Sequence, residues 1–158
     1  MMEKDEIAKL FKKYREILMN FILKFVDNEA DAEDILQEVW LSVIKHRDNY
    51  QDKGKFKSLL FKIARTKIID MHRKRKREKE LTEDIPANEI NFELKIDIEN
   101  ALKKLSFDER EIFYLKEISG LSFKEIAEIM GLPLGTVLSK MYRTLQKLRK
   151  ILKDYEVR

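Results

Sequence analysis

Residues 122–152 read SFKEIAEIMGLPLGTVLSKMYRTLQKLRKIL. Ser122 and Glu125 stand at the S-x-x-E spacing at which a hydroxyl and a carboxylate cap each other's backbone N–H groups and start a helix. Gly131 ends that helix, because a residue without Cβ takes the left-handed conformation at little cost, and Pro133 keeps the helix from resuming at once. Ala127 is small enough to let a second helix cross closely, and Val137 is a β-branched residue able to seat it. Ala127, Gly131 and Val137 thus fall at the offsets of a helix-turn-helix. Leu134-Gly135-Thr136 leads into the second helix, whose apolar stripe is Val137, Met141, Leu145, Leu148 and Leu152. Ser139, Lys140, Arg143 and Lys147 are left facing outward, a polar and basic surface suited to a DNA major groove. A plain helical hairpin with a solvated basic face would share the apolar stripe. Turn, cap and outward face together point to DNA.

Upstream, Ser106 and Glu109 repeat the capping spacing before Ile112, Phe113, Leu115 and Ile118, and Ala101, Leu102 and Leu105 make a short helix. Before these lies an acidic stretch, Glu78, Glu80, Glu83, Asp84, Glu89 and Glu93, with Pro86 and little periodicity, which reads as a linker over 78–96. The first 77 residues predict three helices. One covers 5–27 with Ile7, Leu10, Phe11, Tyr14, Ile17, Leu18, Phe21, Ile22 and Phe25 on its stripe. The next runs from Glu29 to His46. The third runs from Leu59 to Arg77, after a polar loop over 47–58 with Gly54 near its tip. The expected fold is all-α: two small helical domains, 1–77 and 97–158, joined by an acidic tether.

Composition agrees and excludes several classes. Of 158 residues, 39% are charged and only 4 are Gly and 2 Pro, which suits helices. With 0 Cys, 2 isolated His and no Gly-rich phosphate loop, the sequence offers no disulfide framework, no transition-metal cluster and no catalytic constellation, so neither cofactor nor enzymatic activity is expected. No run approaches the roughly 18 apolar residues that span a bilayer, and the start, Met1-Met2-Glu3-Lys4, lacks a signal-peptide pattern. The expected location is cytoplasmic.

Two further surfaces stand out. Asp31, Glu33, Asp34, Gln37 and Glu38 crowd the first turns of the second helix. Favourable interaction with the helix dipole accounts for Asp31 but leaves Asp34 and Gln37 unexplained, so the face is either solvated surface or a partner site. The third helix carries Arg65, Lys67, Arg73, Lys74, Arg75, Lys76 and Arg77, whose mutual repulsion phosphates would relieve. The preceding loop interleaves Tyr50 and Phe56 with Lys53, Lys55 and Lys57. That mixture suits single-stranded nucleic acid, and equally suits buried aromatics beside solvated lysines.

In this order and spacing the motifs resemble the compact two-domain sigma factors of bacterial RNA polymerase, the extracytoplasmic-function (ECF) type of the sigma-70 family. The segment from Asp31 to Trp40 is similar to that family's polymerase-binding helix, Ile63-Ala64-Arg65 through Asp70 and Arg73 to its promoter-melting helix, and Leu121–Arg143 to its downstream helix-turn-helix. The resemblance implies a subunit that binds core RNA polymerase and directs promoter recognition, −10 melting and initiation, with an anti-sigma protein as a possible further partner. It implies docking on the polymerase β′ coiled coil, with contacts to the β subunit, through Asp31, Asp34, Gln37 and Glu38. The −10 contacts would fall to Lys53, Lys55, Phe56, Lys57, Arg65, Thr66, Lys67 and Arg73. The −35 contacts would fall to Ser122, Lys124, Thr136, Ser139, Lys140, Tyr142, Arg143 and Lys147. The chain departs from the family pattern at Leu59, commonly Trp, at Thr66, commonly Asn, and at Leu138 and Lys140, often Arg. The rival reading is a stand-alone helix-turn-helix regulator with an N-terminal dimerisation or sensor domain, and a third is a nucleic-acid enzyme targeted by the same motif.

Overall fold

A computed structural model describes residues 3–49, 54–81 and 98–156. Among these residues there are seven α-helices and no strand: α1 Lys4–Leu23, α2 Glu29–Lys45, α3 Phe56–Leu81, α4 Ile98–Leu102, α5 Phe107–Glu117, α6 Phe123–Met130 and α7 Leu134–Glu156, with a 3-10 turn at Arg47–Asn49.

α1, α2 and α3 pack on one another. Ile7, Leu18, Phe21 and Ile22 of α1 meet Ala32, Ile35, Leu36, Val39 and Val43 of α2 and Leu60, Phe61, Ala64 and Ile68 of α3 in one buried cluster. The helical spacing of these residues is the reason each segment is a helix, since it alone gathers them on one face. α1 stops four residues earlier than the periodicity predicts. The N–H groups of Lys24 and Phe25 turn back to the carbonyls of Phe21 and Ile22, at 3.1 and 2.9 Å. This tight closure carries the Phe25 ring inward. Asn28 then starts α2 by accepting the Asp31 N–H at 2.8 Å.

In the second half α4, α5 and α6 all pack on α7. Both predicted capping boxes are present, Ser106 with Glu109 and Ser122 with Glu125, each with its two reciprocal hydrogen bonds. Gly131 ends α6 at φ +66°, in the left-handed region. Val137, Met141 and Leu148 are buried, and Leu145 and Leu152 pack at the margin of the core, as the stripe predicted.

Two further features differ from the sequence reading. The third helix begins at Phe56 rather than Leu59, so the polar loop is shorter than predicted. It also continues through Glu78, Glu80 and Leu81, four residues into the predicted linker; residues 82–97 lie outside the described residues. How the two halves sit relative to one another is left open by the sequence; here they pack together. α3 lies along α6. The Phe25 ring, from the turn after α1, packs on α5, 4.9 Å from Phe107 and 5.5 Å, edge-on, from Tyr114. His72 is exposed at the rim of this junction, where its Nε2 is 2.7 Å from the Phe25 carbonyl and its ring stands edge-on to Phe107.

Candidate nucleic-acid and partner surfaces

The outer side of α7 carries the residues expected to read duplex DNA. Ser139, Tyr142, Arg143 and Lys147 are exposed, Lys140 and Thr136 half-buried. The Ser139 hydroxyl donates to the Gly135 carbonyl at 3.0 Å, and Gln146 donates to the Tyr142 hydroxyl at 3.0 Å. Lys147 pairs with Glu109 at 3.0 Å, and Lys140 approaches Asp108 at 4.0 Å. The first turn of α5 therefore partly neutralises one edge of this surface. Burial works against charge on Glu109, but hydrogen bonds from Ser106 and Lys147 hold its carboxyl below the usual range. Ser122 and Lys124, at the start of α6, are exposed beside it.

The residues expected at the −10 element are arranged differently. Lys53 lies outside the described residues. Phe56 is not in a loop: it opens α3 and is only 3% exposed. The expectation of an aromatic presented to an unpaired base is corrected for this arrangement. Phe56 stands four residues before Leu60 and so falls on the same buried face, the alternative left open by its lysine-rich surroundings. Three of the cations beside it face the second half of the chain. Lys55 is 3.4 Å from Glu128, Lys57 is 3.2 Å from Glu125, and Arg65 is 2.8 Å from Glu111. Lys67 lies 4.0 Å from Glu38. The Thr66 hydroxyl donates to the Lys62 carbonyl, and Arg73 is exposed. The repulsion expected along the basic run is partly relieved within the molecule, because Arg75 pairs with Asp31 at 2.5 Å and lies 3.7 Å from Asp27. That hydrogen bond from Arg75 to Asp31 raises the arginine above its usual value.

Glu111 is the residue that sequence reasoning missed. It is 0% exposed, wholly inside the junction, and its approach to Arg65 is close but poorly aligned, leaving both carboxylate oxygens without a well-directed donor. Burial pushes its carboxyl up to about 6, against the opposing pull of Arg65 and with help from Asp108. A signal was present. Glu111 stands on the Phe107, Leu115, Ile118 stripe of α5, where a carboxylate implies a partner from another element. Glu125 plays a second part besides capping: burial pushes it up, but hydrogen bonds from Ser122 and Lys57 hold it below the usual range.

On α2, Asp34, Gln37 and Glu38 are exposed, whereas Asp31 is largely engaged by Arg75 and the Asn28 cap. Gln37 also borders a shallow groove of about 430 Å³ between α1 and α2, lined by Phe11, Leu36 and Trp40 and crossed at its rim by the Arg15–Glu33 pair at 3.3 Å. The Phe11 and Trp40 rings pack in a tilted arrangement, 4.8 Å between centres. Acidic and amide groups beside an aromatic-lined groove make a surface suited to a protein partner. No helix among the described residues is long and apolar enough to cross a membrane.

Comparison with known proteins agrees with this arrangement. The Sigma-70 region 2 family model matches residues 10–78 and the Sigma-70 region 4 model residues 95–148. The chain is 28% identical to the ECF RNA polymerase sigma factor SigW of Bacillus subtilis, covering 96% of this chain and 91% of the relative. It is 30% identical to the RNA polymerase sigma factor CarQ of Myxococcus xanthus, covering 97% and 92%. Its fold is similar to the sigma factor RpoE of Bartonella quintana in complex with the anti-sigma factor NepR, with a TM-score of 0.73, 27% identity, and 92% and 97% of the two chains covered. CnrH in complex with the cytosolic domain of CnrY shares the fold, with a TM-score of 0.75 and 24% identity over 96% and 90% of the chains. The stand-alone regulator is not favoured, because the first half matches a sigma region rather than a sensor or dimerisation module. The chain therefore belongs to the ECF sigma factors of the sigma-70 family, which direct promoter recognition and transcription initiation.

Proposed function

We propose the division of labour by which this sigma factor works. The α2 face bearing Asp34, Gln37 and Glu38, with the adjoining Phe11–Trp40 groove, docks on the β′ coiled coil of core polymerase. The outer side of α7, with Ser122 and Lys124 of α6, reads the −35 duplex. Lys55, just before α3, with Lys57, Arg65, Thr66, Lys67 and Arg73 of α3, holds the −10 strand during opening. The chain contributes binding and positioning, and the catalysis of RNA synthesis belongs to the polymerase. Residues 1–77 and 97–158 act as the two binding modules, with 78–96 between them. A protein inhibitor of the anti-sigma class is a further partner, by extension from the similar complexes.

The observation that carries this reading is one chain presenting both a capped helix-turn-helix with a polar, basic outer face and a long basic helix. Occupation of both raises the effective concentration of each contact. Lys55, Lys57 and Arg65 are paired with Glu128, Glu125 and Glu111 across the junction, so those pairs must break before the cations meet DNA. The test is reconstitution of the full chain with core polymerase, followed by transcription and permanganate footprinting on a promoter library. Stable assembly that opens no promoter overturns the assignment of α3, and failure to assemble overturns that of α2.

A further inference from the structure

The outer surface of α7 is not uniformly polar. Leu138 is 45% exposed and Tyr142 64% exposed, and Leu134 at the helix start is 46% exposed. Successive residues step about 100° around a helix, which places Leu138 and Tyr142 about 40° apart, Ser139 about 60° beyond Tyr142 and Arg143 about 40° further. The face thus has an apolar shoulder, Leu138 and Tyr142, and a cationic one, Arg143, Lys140 and Lys147, with Ser139 between. The two shoulders differ in their relation to the rest of the molecule. The cationic side is partly matched by Asp108 and Glu109. Leu138, by contrast, is left in solvent in the closed form.

Resting on the assignment of α7 to duplex DNA, we propose that Leu138 is a specificity-determining residue that packs on the 5-methyl group of a thymine in the −35 element. The early residues of such a helix meet base edges, and Leu138 is the fifth residue of α7. Its side chain neither donates nor accepts a hydrogen bond. Among the base edges of the major groove, the thymine methyl is the feature that an aliphatic group recognises. Tyr142 extends the same shoulder by one turn and shields the contact from water. Its hydroxyl already accepts a hydrogen bond from Gln146, which fixes the ring's polar end away from Leu138. The consequence is a chain that reads one position by methyl contact and its neighbours by hydrogen bonds from Ser139 and Arg143.

The test uses the full chain assembled with core polymerase. Duplexes randomised over the −35 region are selected for binding, and the selected element is resynthesised with deoxyuridine for each thymidine in turn, removing the methyl alone. One position should then bind about fourfold more weakly, the equivalent of one buried methyl. In L138A that position should bind thymidine and deoxyuridine equally, while R143A weakens both and keeps the difference. Helical content of L138A by circular dichroism controls for folding, and alanine at an exposed helical position favours the helix. Selection of no −35 sequence at all would overturn the assignment of α7 itself. A selected element indifferent to every deoxyuridine, or an undiminished methyl preference in L138A, would overturn the role of Leu138 alone. If L138A instead weakened assembly with core polymerase and kept the methyl preference, the shoulder would be a protein contact and the proposal wrong.

Discussion

Replacing Arg65 with methionine removes the cation that faces the buried carboxylate of Glu111. Methionine keeps most of the arginine stem, so the perturbation is chiefly electrostatic. In the parent chain the Glu111 pKa rises from its ordinary 4.5 to about 6 on folding. A raised carboxyl pKa means that its contribution to stability is fully present below 4.5 and is lost as pH rises through about 6. The loss is about 2 kcal/mol, the product of that shift and about 1.4 kcal/mol per unit. Without Arg65 the shift grows, because only burial and Asp108 remain to act on Glu111. Because Glu111 can take up a proton rather than stay charged and unpaired, the extra loss at pH 7.5 is capped at about 2 kcal/mol, the gap between that pH and about 6 at about 1.4 kcal/mol per unit. Urea unfolding at pH 7.5 should show that loss. At pH 5.0 the variant and parent should nearly coincide, because Glu111 is then protonated in both folded proteins. Adding Glu111→Gln should remove the pH dependence. An equal loss at both pH values would show that lost packing of the arginine stem, rather than an unpaired charge, is responsible, and would refute the reasoning.

Other substitutions test other surfaces. Asp34→Arg should abolish assembly with core polymerase, measured by titration, while leaving the urea midpoint unchanged, since the residue is exposed and like charges across an interface cost several kcal/mol. Arg143→Ala should weaken holoenzyme binding by about 1–3 kcal/mol and relax discrimination at one −35 position if it contacts a base. Comparison of parent and substituted promoters gives the answer. Glu125→Gln should preserve the start of α6, because glutamine serves a capping box, yet release Lys57; binding of a single-stranded −10 oligonucleotide by the free chain should strengthen a few-fold at low salt. Gly131→Ala should cost about 1–2 kcal/mol in thermal or urea unfolding, since nothing crowds its Cβ position and left-handed backbone strain is the whole effect.

The parts of the molecule legible in the sequence were those fixed by near neighbours. Ser122, Glu125 and Gly131 specify the ends of α6 through hydrogen bonds and dihedral preferences that span four residues or fewer, and α7's stripe follows from its own periodicity. Phe56 could have been placed, since it, Leu60, Ala64 and Ile68 recur at intervals of four. The lysines around it suggested a loop, but long side chains leave a helix surface freely and impose no such constraint. The junction between the halves was beyond reach. Arg65 and Glu111 are distant along the chain, and nothing local announces which cation a stray carboxylate will meet. The proposed α7 surface was readable as polar and basic, but the exposure of Leu138 follows from the packing of α4, α5 and α6 on the opposite side.

Each capping glutamate also grips a lysine from elsewhere: Glu109 holds Lys147, and Glu125 holds Lys57. One carboxylate therefore both begins a helix and sets the charge of a candidate nucleic-acid surface. Over evolutionary time this narrows the routes open to the chain. Drift to alanine at either position would fray a helix as it freed a cation, so selection for tighter nucleic-acid binding would be opposed by selection for folding. Glutamine is the one neighbouring state that separates the two effects, and it lies a single nucleotide change from glutamate. A lineage adjusting its affinity for nucleic acid would be expected to pass through Glu→Gln at these two sites before altering the lysines themselves.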